Sequence, residues 1–271
     1  MKSLAASKYH VGVIGVGIMG EALLAGLLDS GLPSSQLSFA EKRIERATEI
    51  TAKYGATLKE LSKLVEASDI VLLVVKPQDL ETVLGEIASS LKHGAVVVSF
   101  AAGKHIDFIS TRIPAGVGVI RVMPNTPTMI GLGMSAISAG PGTSNEGIEF
   151  VETFLAACGK VISVAEELQD AVTAVSGSGP AYFFAFVEAM VASGIELGLS
   201  SEAATTLTIQ TIVGAAGMLE QSGKSATTLR ENVTSPNGTT AAALAVFQSE
   251  KLNEVVMKAM VAARNRSQEL A

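Results

Sequence analysis

The sequence predicts an α/β protein in which a doubly wound parallel sheet is followed by an all-helical domain. Three observations support this prediction. Short apolar segments alternate with amphipathic segments as far as residue 165, a glycine-rich turn follows the first apolar segment, and only helical periods follow residue 165. Repeated strand and helix units predict parallel pairing with right-handed crossovers. We therefore expect one domain over residues 1–165 and a second over residues 166–271.

The elements of the first domain are predicted from apolar runs and their boundaries. The uninterrupted run IVLLVV within residues 68–75 is typical of a strand buried on both faces of a parallel sheet. The amphipathic run 43–55 is typical of a helix closed by a glycine. The predicted strands cover residues 9–16, 36–41, 68–75, 95–100, 116–124, 134–140 and 161–164. The predicted helices cover residues 19–30, 43–55, 79–91, a segment from about 105, and 144–157.

The second half of the chain has a different pattern. Beyond residue 166 we find helical periods separated by the turns GSGP (177–180), GLSS (198–201), GK (223–224) and SPNG (235–238). Small residues are dense in these helical segments, so their axes can approach closely. Aromatic residues make up only 4% of the chain. An apolar helical domain with so few aromatic residues predicts that a second subunit completes its core.

Composition excludes several classes of function. The formal net charge is −6 and no long basic run is present, which argues against a nucleic-acid partner and a polybasic membrane patch. Cys158 is the single cysteine, so an internal disulfide is impossible and a reducing compartment is favoured. We interpret Cys158 as a small buried residue, and we expect no metal site.

The apolar runs also raise the question of a secretory signal or a membrane span. The amino-terminal lysines before the first apolar run resemble a signal peptide, but Glu21 interrupts that run. Glu188 and Glu196 break the apolar stretch 181–199, which therefore falls short of the ~20 uninterrupted apolar residues of a membrane helix. We expect a cytoplasmic protein without a membrane partner.

The first apolar segment leads into the spacing Gly15-x-Gly17-x-x-Gly20. A spacing of this kind between a strand and a helix predicts a dinucleotide-binding turn and a Rossmann-like sheet. The first glycine permits the turn, the second admits a pyrophosphate, and the helix N-terminus supplies N–H donors. The alternative is that these glycines serve only the packing of strand against helix.

The type of dinucleotide depends on the end of the second strand, about 20 residues beyond the last glycine of the motif. This position holds Glu41, Lys42 and Arg43. A carboxylate favours the ribose 2′-hydroxyl of NADH, whereas two cations can pair with the 2′-phosphate of NADPH while Glu41 turns to solvent. We predict that Lys42 and Arg43 select NADPH, with NADH as the alternative cofactor. The other interpretation is that the three residues are only the charged start of a helix.

Two segments of the helical half are unusual for packing alone. The segment AVSGSGPAYFF (174–184) places Pro180 where a helix would otherwise continue, at a cost of ~3 kcal/mol in a helix interior. The segment NVTSPNGTTAAAL (232–244) places Thr239 and Thr240 in the first turn of a helix. Free N–H groups there can bind a carboxylate. The alternative in both cases is a turn followed by an ordinary N-cap.

Together with GVIGVGIMG (12–20), VVKPQ (74–78), SFAAG (99–103) and RVMPNTP (121–127), these two segments resemble the pyrroline-5-carboxylate reductases. The SGSGPAY and TSPNGTT motifs are the specific part of the resemblance. It implies reduction of the cyclic imine 1-pyrroline-5-carboxylate to L-proline with NAD(P)H, the last step of proline biosynthesis. It also implies a helical C-terminal domain that forms an interlocked homodimer, often assembled into larger rings such as decamers.

The resemblance also implies roles for individual residues. On the cofactor side it implies pyrophosphate contacts from Gly15, Val16, Gly17, Ile18 and Met19. It also implies contacts to the rest of the cofactor from Lys76, Pro77, Ala101, Ala102 and Asn232. On the substrate side it implies contacts from Glu166, Ser235, Gly238, Thr239 and Thr240. Thr240 is the predicted catalytic residue, because its hydroxyl would lie nearest the imine nitrogen. The chain departs from the family at Leu61, where members often have an asparagine near the adenine pocket.

Two rival interpretations remain at this point. The β-hydroxyacid dehydrogenases also join a Rossmann domain to a helical one, but they need a catalytic lysine, and residues 170–200 contain no lysine. A non-catalytic NADP-binding or regulatory protein could keep the same fold without turnover. Retention of both SGSGPAY and TSPNGTT argues against that second rival.

Overall fold

The computed structural model describes residues 3–270. Its strands, numbered in chain order, are β1 (Val11–Ile14), β2 (Leu37–Ala40), β3 (Thr57–Leu58), β4 (Ile70–Leu73), β5 (Val96–Ser99), β6 (Gly118–Met123), β7 (Gly133–Ala139) and β8 (Gly159–Ser163). Its α-helices are α1 (Ile18–Asp29), α2 (Ile44–Tyr54), α3 (Leu61–Ala67), α4 (Leu80–Ile87), α5 (Ile106–Ser110), α6 (Asn145–Ala157), α7 (Gln169–Val172), α8 (Gly179–Glu196), α9 (Ser201–Gln221), α10 (Ala226–Asn232), α11 (Thr239–Ser249) and α12 (Leu252–Glu269). The predicted fold class is confirmed.

The strands form one eight-stranded sheet in the order β3-β2-β1-β4-β5-β6-β7-β8. β1 pairs in parallel with both β2 and β4. Successive strands are therefore added outward from β1 first on one side, as β2 and β3, and then on the other, as β4 and β5. Ligands of doubly wound sheets bind at such a switch point, outside the carboxyl ends of the strands. The topology therefore places the glycine-rich motif at the expected position.

Two features of the sheet differ from the sequence-based expectation. β6 and β7 are antiparallel, because residues 124–132 between them hold only the short helical turn Thr126–Ile130, and a parallel crossover needs a dozen or more residues. The short elements β3 and α3 lie in residues 57–67, for which the sequence predicted no element. β3 pairs with β2 and extends the sheet at that edge.

Apolar layers cover both faces of the sheet. Alternate residues of β4 belong to different clusters: Ile70 and Leu72 pack on one face, and Val71 and Leu73 pack on the other. All four are fully buried. Since burial of such a side chain contributes ~1.5–3 kcal/mol, the double covering explains why this strand reads as a continuous apolar run. Cys158 is buried as predicted, and burial raises the pKa of its thiol to about 11.

Pro180 is accommodated by a wide turn of the helix that precedes it. Thr173–Gly177 form a π-helical turn, in which the Ser178 N–H donates to the Thr173 carbonyl at 2.8 Å. A proline leaves the carbonyl four residues before it without its usual donor. Here that carbonyl belongs to Ser176, and the Asn125 side-chain amide donates to it at 3.3 Å. The Asn125 Oδ1 atom accepts from the Met134 N–H at 2.8 Å. Asn125 therefore joins the π turn to the loop after β6.

By its contacts, the described chain forms two compact units. The sheet unit comprises the described residues up to Ser178 together with those from Ala263 onward, and the helical unit comprises Gly179–Ala262. The predicted domain boundary between residues 165 and 166 stays a prediction.

The helical unit exposes many large apolar side chains. Phe183 and Phe184 of α8 are more than half exposed, as are Leu197 and Met257. Among residues 3–270, the helical run Glu166–Glu196 is also long and apolar enough to cross a membrane by length and composition, with a mean hydropathy of 1.2. The exposed apolar surface needs a cover, and the sequence predicted that a second subunit supplies it.

Candidate active site

The predicted cofactor contacts of the sheet unit follow the carboxyl ends of neighbouring parallel strands. β2, β1, β4 and β5 are adjacent and parallel, so the segments after them lie at one edge of the sheet. These segments contain, in order, Lys42 and Arg43, then Gly15 to Met19, then Lys76 and Pro77, then Ala101 and Ala102. The fold thus brings these predicted residues to a common edge, while their contacts with a cofactor stay a prediction.

The glycine turn, residues 15–20, has the geometry of a phosphate-binding turn. Gly15 has a φ of +88°, a conformation that L side chains rarely adopt. A Cβ atom at Gly20 would collide with the Gly15 carbonyl oxygen, so Gly20 brings α1 close to the turn. A Cβ atom at Gly17 would meet nothing within 4 Å. Gly17 is also the N-cap of α1 and offers no side-chain cap to its N–H groups. The turn therefore leaves room and free donors for a pyrophosphate.

A charged cluster behind the glycine turn was not predicted from the sequence. The Arg46 Nε atom donates to the Val16 carbonyl at 2.9 Å, and its Nη2 atom pairs with the Glu21 carboxylate. Lys53 and the Tyr54 hydroxyl also donate to Glu21, at 2.7 Å and 2.8 Å. Arg46 thus connects the backbone of the turn to the first turn of α1. The contact depends on the tertiary placement of α2, which leaves no motif in the sequence.

The charge of Glu21 predicts a stability that depends on pH. The hydrogen bond from Lys53 makes the largest contribution to a lowered pKa of Glu21, and the bonds from Arg46 and Tyr54 lower the pKa further. Burial raises the pKa, but the net result is a fall from 4.5 to about 2. A lowered pKa stabilises the folded state above about pH 4.5, and this contribution disappears as the pH falls towards 2. We expect Glu21→Gln to be less stable at neutral pH by at most ~3 kcal/mol.

The gap in stability between Glu21→Gln and the wild type should then close as the pH falls towards 2. Urea unfolding at a series of pH values measures it. The exposed Glu45→Gln variant controls for loss of one carboxylate. A gap for Glu21→Gln that stays constant down to about pH 2 would show that Glu21 does not carry the pH dependence.

The end of β2 shows how Glu41, Lys42 and Arg43 are arranged. The Glu41 side chain is only 9% exposed, and its carboxylate pairs with the Arg43 guanidinium at 3.1 Å. The expectation that Glu41 turns to solvent is therefore wrong, because Arg43 holds the carboxylate against the protein. Lys42 is exposed and has no ion-pair partner within residues 3–270.

Glu166 lies in a polar cluster of the sheet unit. Its Oε1 atom accepts from the Ile106 N–H at 2.6 Å, at the start of α5. The buried Arg121 guanidinium lies 3.4 Å from the same oxygen and 3.7 Å from the Asp170 carboxylate. The Asp170 carboxylate in turn accepts from the Ser267 hydroxyl at 2.7 Å. Glu166 therefore has structural partners, and its contact with substrate stays a prediction.

The threonine turn, residues 235–240, lies in the helical unit at the start of α11. Asn237 has a φ of +60°, and the Gly238 N–H donates to the Ser235 carbonyl at 3.1 Å. Gly238 is the N-cap of α11 and makes no side-chain cap. By contrast, Ser200 and Ser225 cap α9 and α10 with their hydroxyls. The first N–H groups of α11 are thus left for another acceptor. Asn232 ends α10 just before this turn.

The sheet with its glycine turn defines a doubly wound, dinucleotide-binding class of protein. Residues 166–270 match the model of the family described as pyrroline-5-carboxylate reductase dimerisation. Residues 10–103 match the model described as NADP oxidoreductase, coenzyme F420-dependent. The chain belongs to the pyrroline-5-carboxylate reductase family: the Mycobacterium leprae pyrroline-5-carboxylate reductase is 38% identical to it, over 97% of each chain.

Solved structures agree with this assignment. A pyrroline-5-carboxylate reductase from Coxiella burnetii has a TM-score of 0.92 and 32% identity, and the match covers 98% of this chain and 99% of that one. The Plasmodium falciparum pyrroline carboxylate reductase, solved with NADP bound, has a TM-score of 0.86 and 27% identity. That match covers 97% of this chain and 98% of the other.

Proposed function

We propose that the protein reduces the C=N bond of 1-pyrroline-5-carboxylate with NADPH and releases L-proline, the last step of proline biosynthesis. Its membership of the reductase family, with similarity over essentially the whole chain, is the observation that carries the proposal. The reaction adds one hydride to the imine carbon and one proton to the nitrogen. The hydride comes from the reduced nicotinamide ring when NADPH is bound.

On the cofactor side, the chain needs to bind the dinucleotide and orient its nicotinamide ring. The glycine turn holds the pyrophosphate with the N–H groups at the start of α1. Lys42 and Arg43 hold the 2′-phosphate, which makes NADPH the favoured donor. Lys76, Pro77, Ala101 and Ala102 line the nicotinamide side, and Asn232 adds a contact from the helical unit. Family membership and the shared edge of the sheet support these roles.

On the substrate side, the threonine turn holds the ring carboxylate. The uncapped N–H groups at the start of α11 and the side chains of Ser235 and Thr239 supply donors for an anion. Thr240 hydrogen-bonds the imine nitrogen and passes a proton to it through water or stabilises the forming amine. A protonated imine accepts hydride without forming a nitrogen anion, so the chain needs orientation more than a covalent nucleophile. Glu166 completes the substrate contacts.

The absorbance of NADPH tests the proposal directly. Purified protein with 1-pyrroline-5-carboxylate should oxidise NADPH and form L-proline in equal amounts, and NADH should support a lower kcat/KM. A ring-size homologue of the imine measures how far the substrate specificity extends. Absence of proline formation with either cofactor would favour the non-catalytic interpretation. The β-hydroxyacid dehydrogenase interpretation needs a catalytic lysine, and residues 170–200 contain none. Reduction of NADP by a hydroxyacid in the presence of the protein would support that interpretation.

A homodimer is the proposed cover for the apolar surface of the helical unit. The dimerisation model matches residues 166–270, which contain the exposed side chains Phe183, Phe184 and Met257. We expect light scattering at micromolar concentration to give at least twice the monomer mass of 27.8 kDa, with larger rings such as decamers as a further stage. A monomeric mass, or partition of the protein into lipid vesicles, would contradict the proposed dimer. We also propose a cytoplasmic location.

A further inference from the structure

The pair formed by Glu41 and Arg43 lies where a dinucleotide-binding sheet recognises the adenosine ribose. The Glu41 Oε1 atom accepts from both the Arg43 N–H, at 3.0 Å, and the Arg43 Nε atom, at 3.1 Å. The Arg43 Nη2 atom donates to the Glu41 Oε2 atom at 3.3 Å. The two side chains therefore meet through both carboxylate oxygens, a geometry that fixes the orientation of the guanidinium.

The surroundings keep the Glu41 carboxylate charged and in place. Burial of Glu41 raises its pKa, but the hydrogen bonds from Arg43 and its backbone outweigh burial, and the backbone of Val16 adds to them, so the pKa lies below its usual value. Val16 belongs to the glycine turn. Arg43 thus holds the carboxylate at the end of β2, the position of an acceptor of a ribose 2′-hydroxyl.

A 2′-phosphate and the Glu41 carboxylate compete for the same guanidinium. Two of the side-chain donors of Arg43, Nε and Nη2, face the carboxylate in the structure, and a phosphate that binds this edge of the guanidinium must displace it. A phosphate dianion next to Glu41 would also meet a like charge, which is unfavourable. Lys42, by contrast, is exposed and free of ion pairs within residues 3–270.

We propose that Glu41 is a specificity-determining residue that restrains binding of the 2′-phosphate by holding Arg43, so that the chain retains use of NADH beside NADPH. The 2′-phosphate of NADPH reaches the Nε and Nη2 donors only when Arg43 leaves the carboxylate, so the affinity gained from these donors is reduced by the loss of that pair. NADH binds with the pair intact and with its 2′-hydroxyl on Glu41. The inference rests on the proposed cofactor and not on the proposed substrate.

Isothermal titration of the full-length protein with two cofactor fragments tests this inference without any turnover. The probes are adenosine 2′,5′-bisphosphate and AMP, which differ at the 2′ position alone. Glu41→Gln should bind the bisphosphate up to about fivefold more tightly, because the ion pair no longer holds the largely exposed Arg43, and should bind AMP no more tightly. Arg43→Ala should weaken binding of the bisphosphate and leave the affinity for AMP unchanged. Glu45→Gln, the same charge change at an exposed position, should alter neither.

The double variant separates competition for Arg43 from simple repulsion. If Glu41 acts through Arg43, the increase in bisphosphate affinity caused by Glu41→Gln becomes much smaller when Arg43 is already alanine. An undiminished gain in that background would overturn the proposal, because the carboxylate would then act on the phosphate directly. An unchanged ratio of bisphosphate to AMP affinity in Glu41→Gln, with normal thermal unfolding, would overturn it as well. Because no imine is present, failure of the proposed reaction leaves these outcomes interpretable.

Discussion

Replacing Gly17 by alanine is expected to weaken NADPH binding about 100-fold while leaving thermal stability close to that of the wild type. The added methyl group would meet nothing within 4 Å in the protein, and the φ of −64° at Gly17 suits alanine. The protein alone therefore tolerates the change. The open space lies at the start of α1, where the pyrophosphate is proposed to bind, so the methyl group would occupy the position of the ligand. Titration of NADPH fluorescence measures the affinity.

Two further glycine variants serve as matched controls. Gly20→Ala forces its methyl group against the Gly15 carbonyl, so it should lose both stability and NADPH affinity. Gly85→Ala places its methyl group in open space on the exposed side of α4. It should raise stability by ~0.5–1 kcal/mol and leave NADPH affinity unchanged. If Gly17→Ala bound NADPH as tightly as Gly85→Ala, the glycine turn would not be the pyrophosphate site.

Replacing Thr240 by alanine is expected to lower kcat about 100-fold, within the range for loss of one proton-transfer group. The affinity for NADPH should stay the same, since Thr240 is proposed to contact the substrate. Stability should also be retained, because Thr240 lies in the first turn of α11 and alanine favours a helix at least as well as threonine. Steady-state kinetics with 1-pyrroline-5-carboxylate measure kcat and KM separately.

The Thr240→Ser variant tests whether the hydroxyl is the group that matters. Serine keeps the hydroxyl and removes only the methyl group, so it should recover most of the wild-type kcat. Equal loss in both variants would point to packing of the threonine methyl group in place of proton transfer. Unchanged turnover in Thr240→Ala would remove Thr240 from the mechanism.

The sequence predicted those parts of the fold that are encoded in local patterns. β4 was predictable because its residues are uninterrupted aliphatic side chains, buried on both faces. β3 was missed because it is a strand of two exposed residues, Thr57 and Leu58, that pairs along one side only. The antiparallel direction of β7 could have been inferred from the short connection before it. The alternation of strands and helices concealed that direction.

The site divides in a similar way between local motifs and tertiary contacts. The glycine turn and the threonine turn were predictable, because each combines backbone requirements with a helix start in one segment. Arg46 was not predictable, since its bond to the Val16 carbonyl joins residues 30 positions apart. The orientation of Glu41 was predicted wrongly for a related reason. Its orientation depends on the side-chain conformation of Arg43, two residues along the chain, which the sequence pattern does not specify.

Transfer of deuterium from labelled NADPH to proline tests the central claim most directly. With NADPH deuterated at both positions of nicotinamide C4, the identity of the transferred face does not matter. If the chain reduces 1-pyrroline-5-carboxylate as proposed, each molecule of L-proline should carry one deuterium, at C5, for each NADPH oxidised. Oxidation of NADPH without labelled proline, or no oxidation at all, would contradict the account.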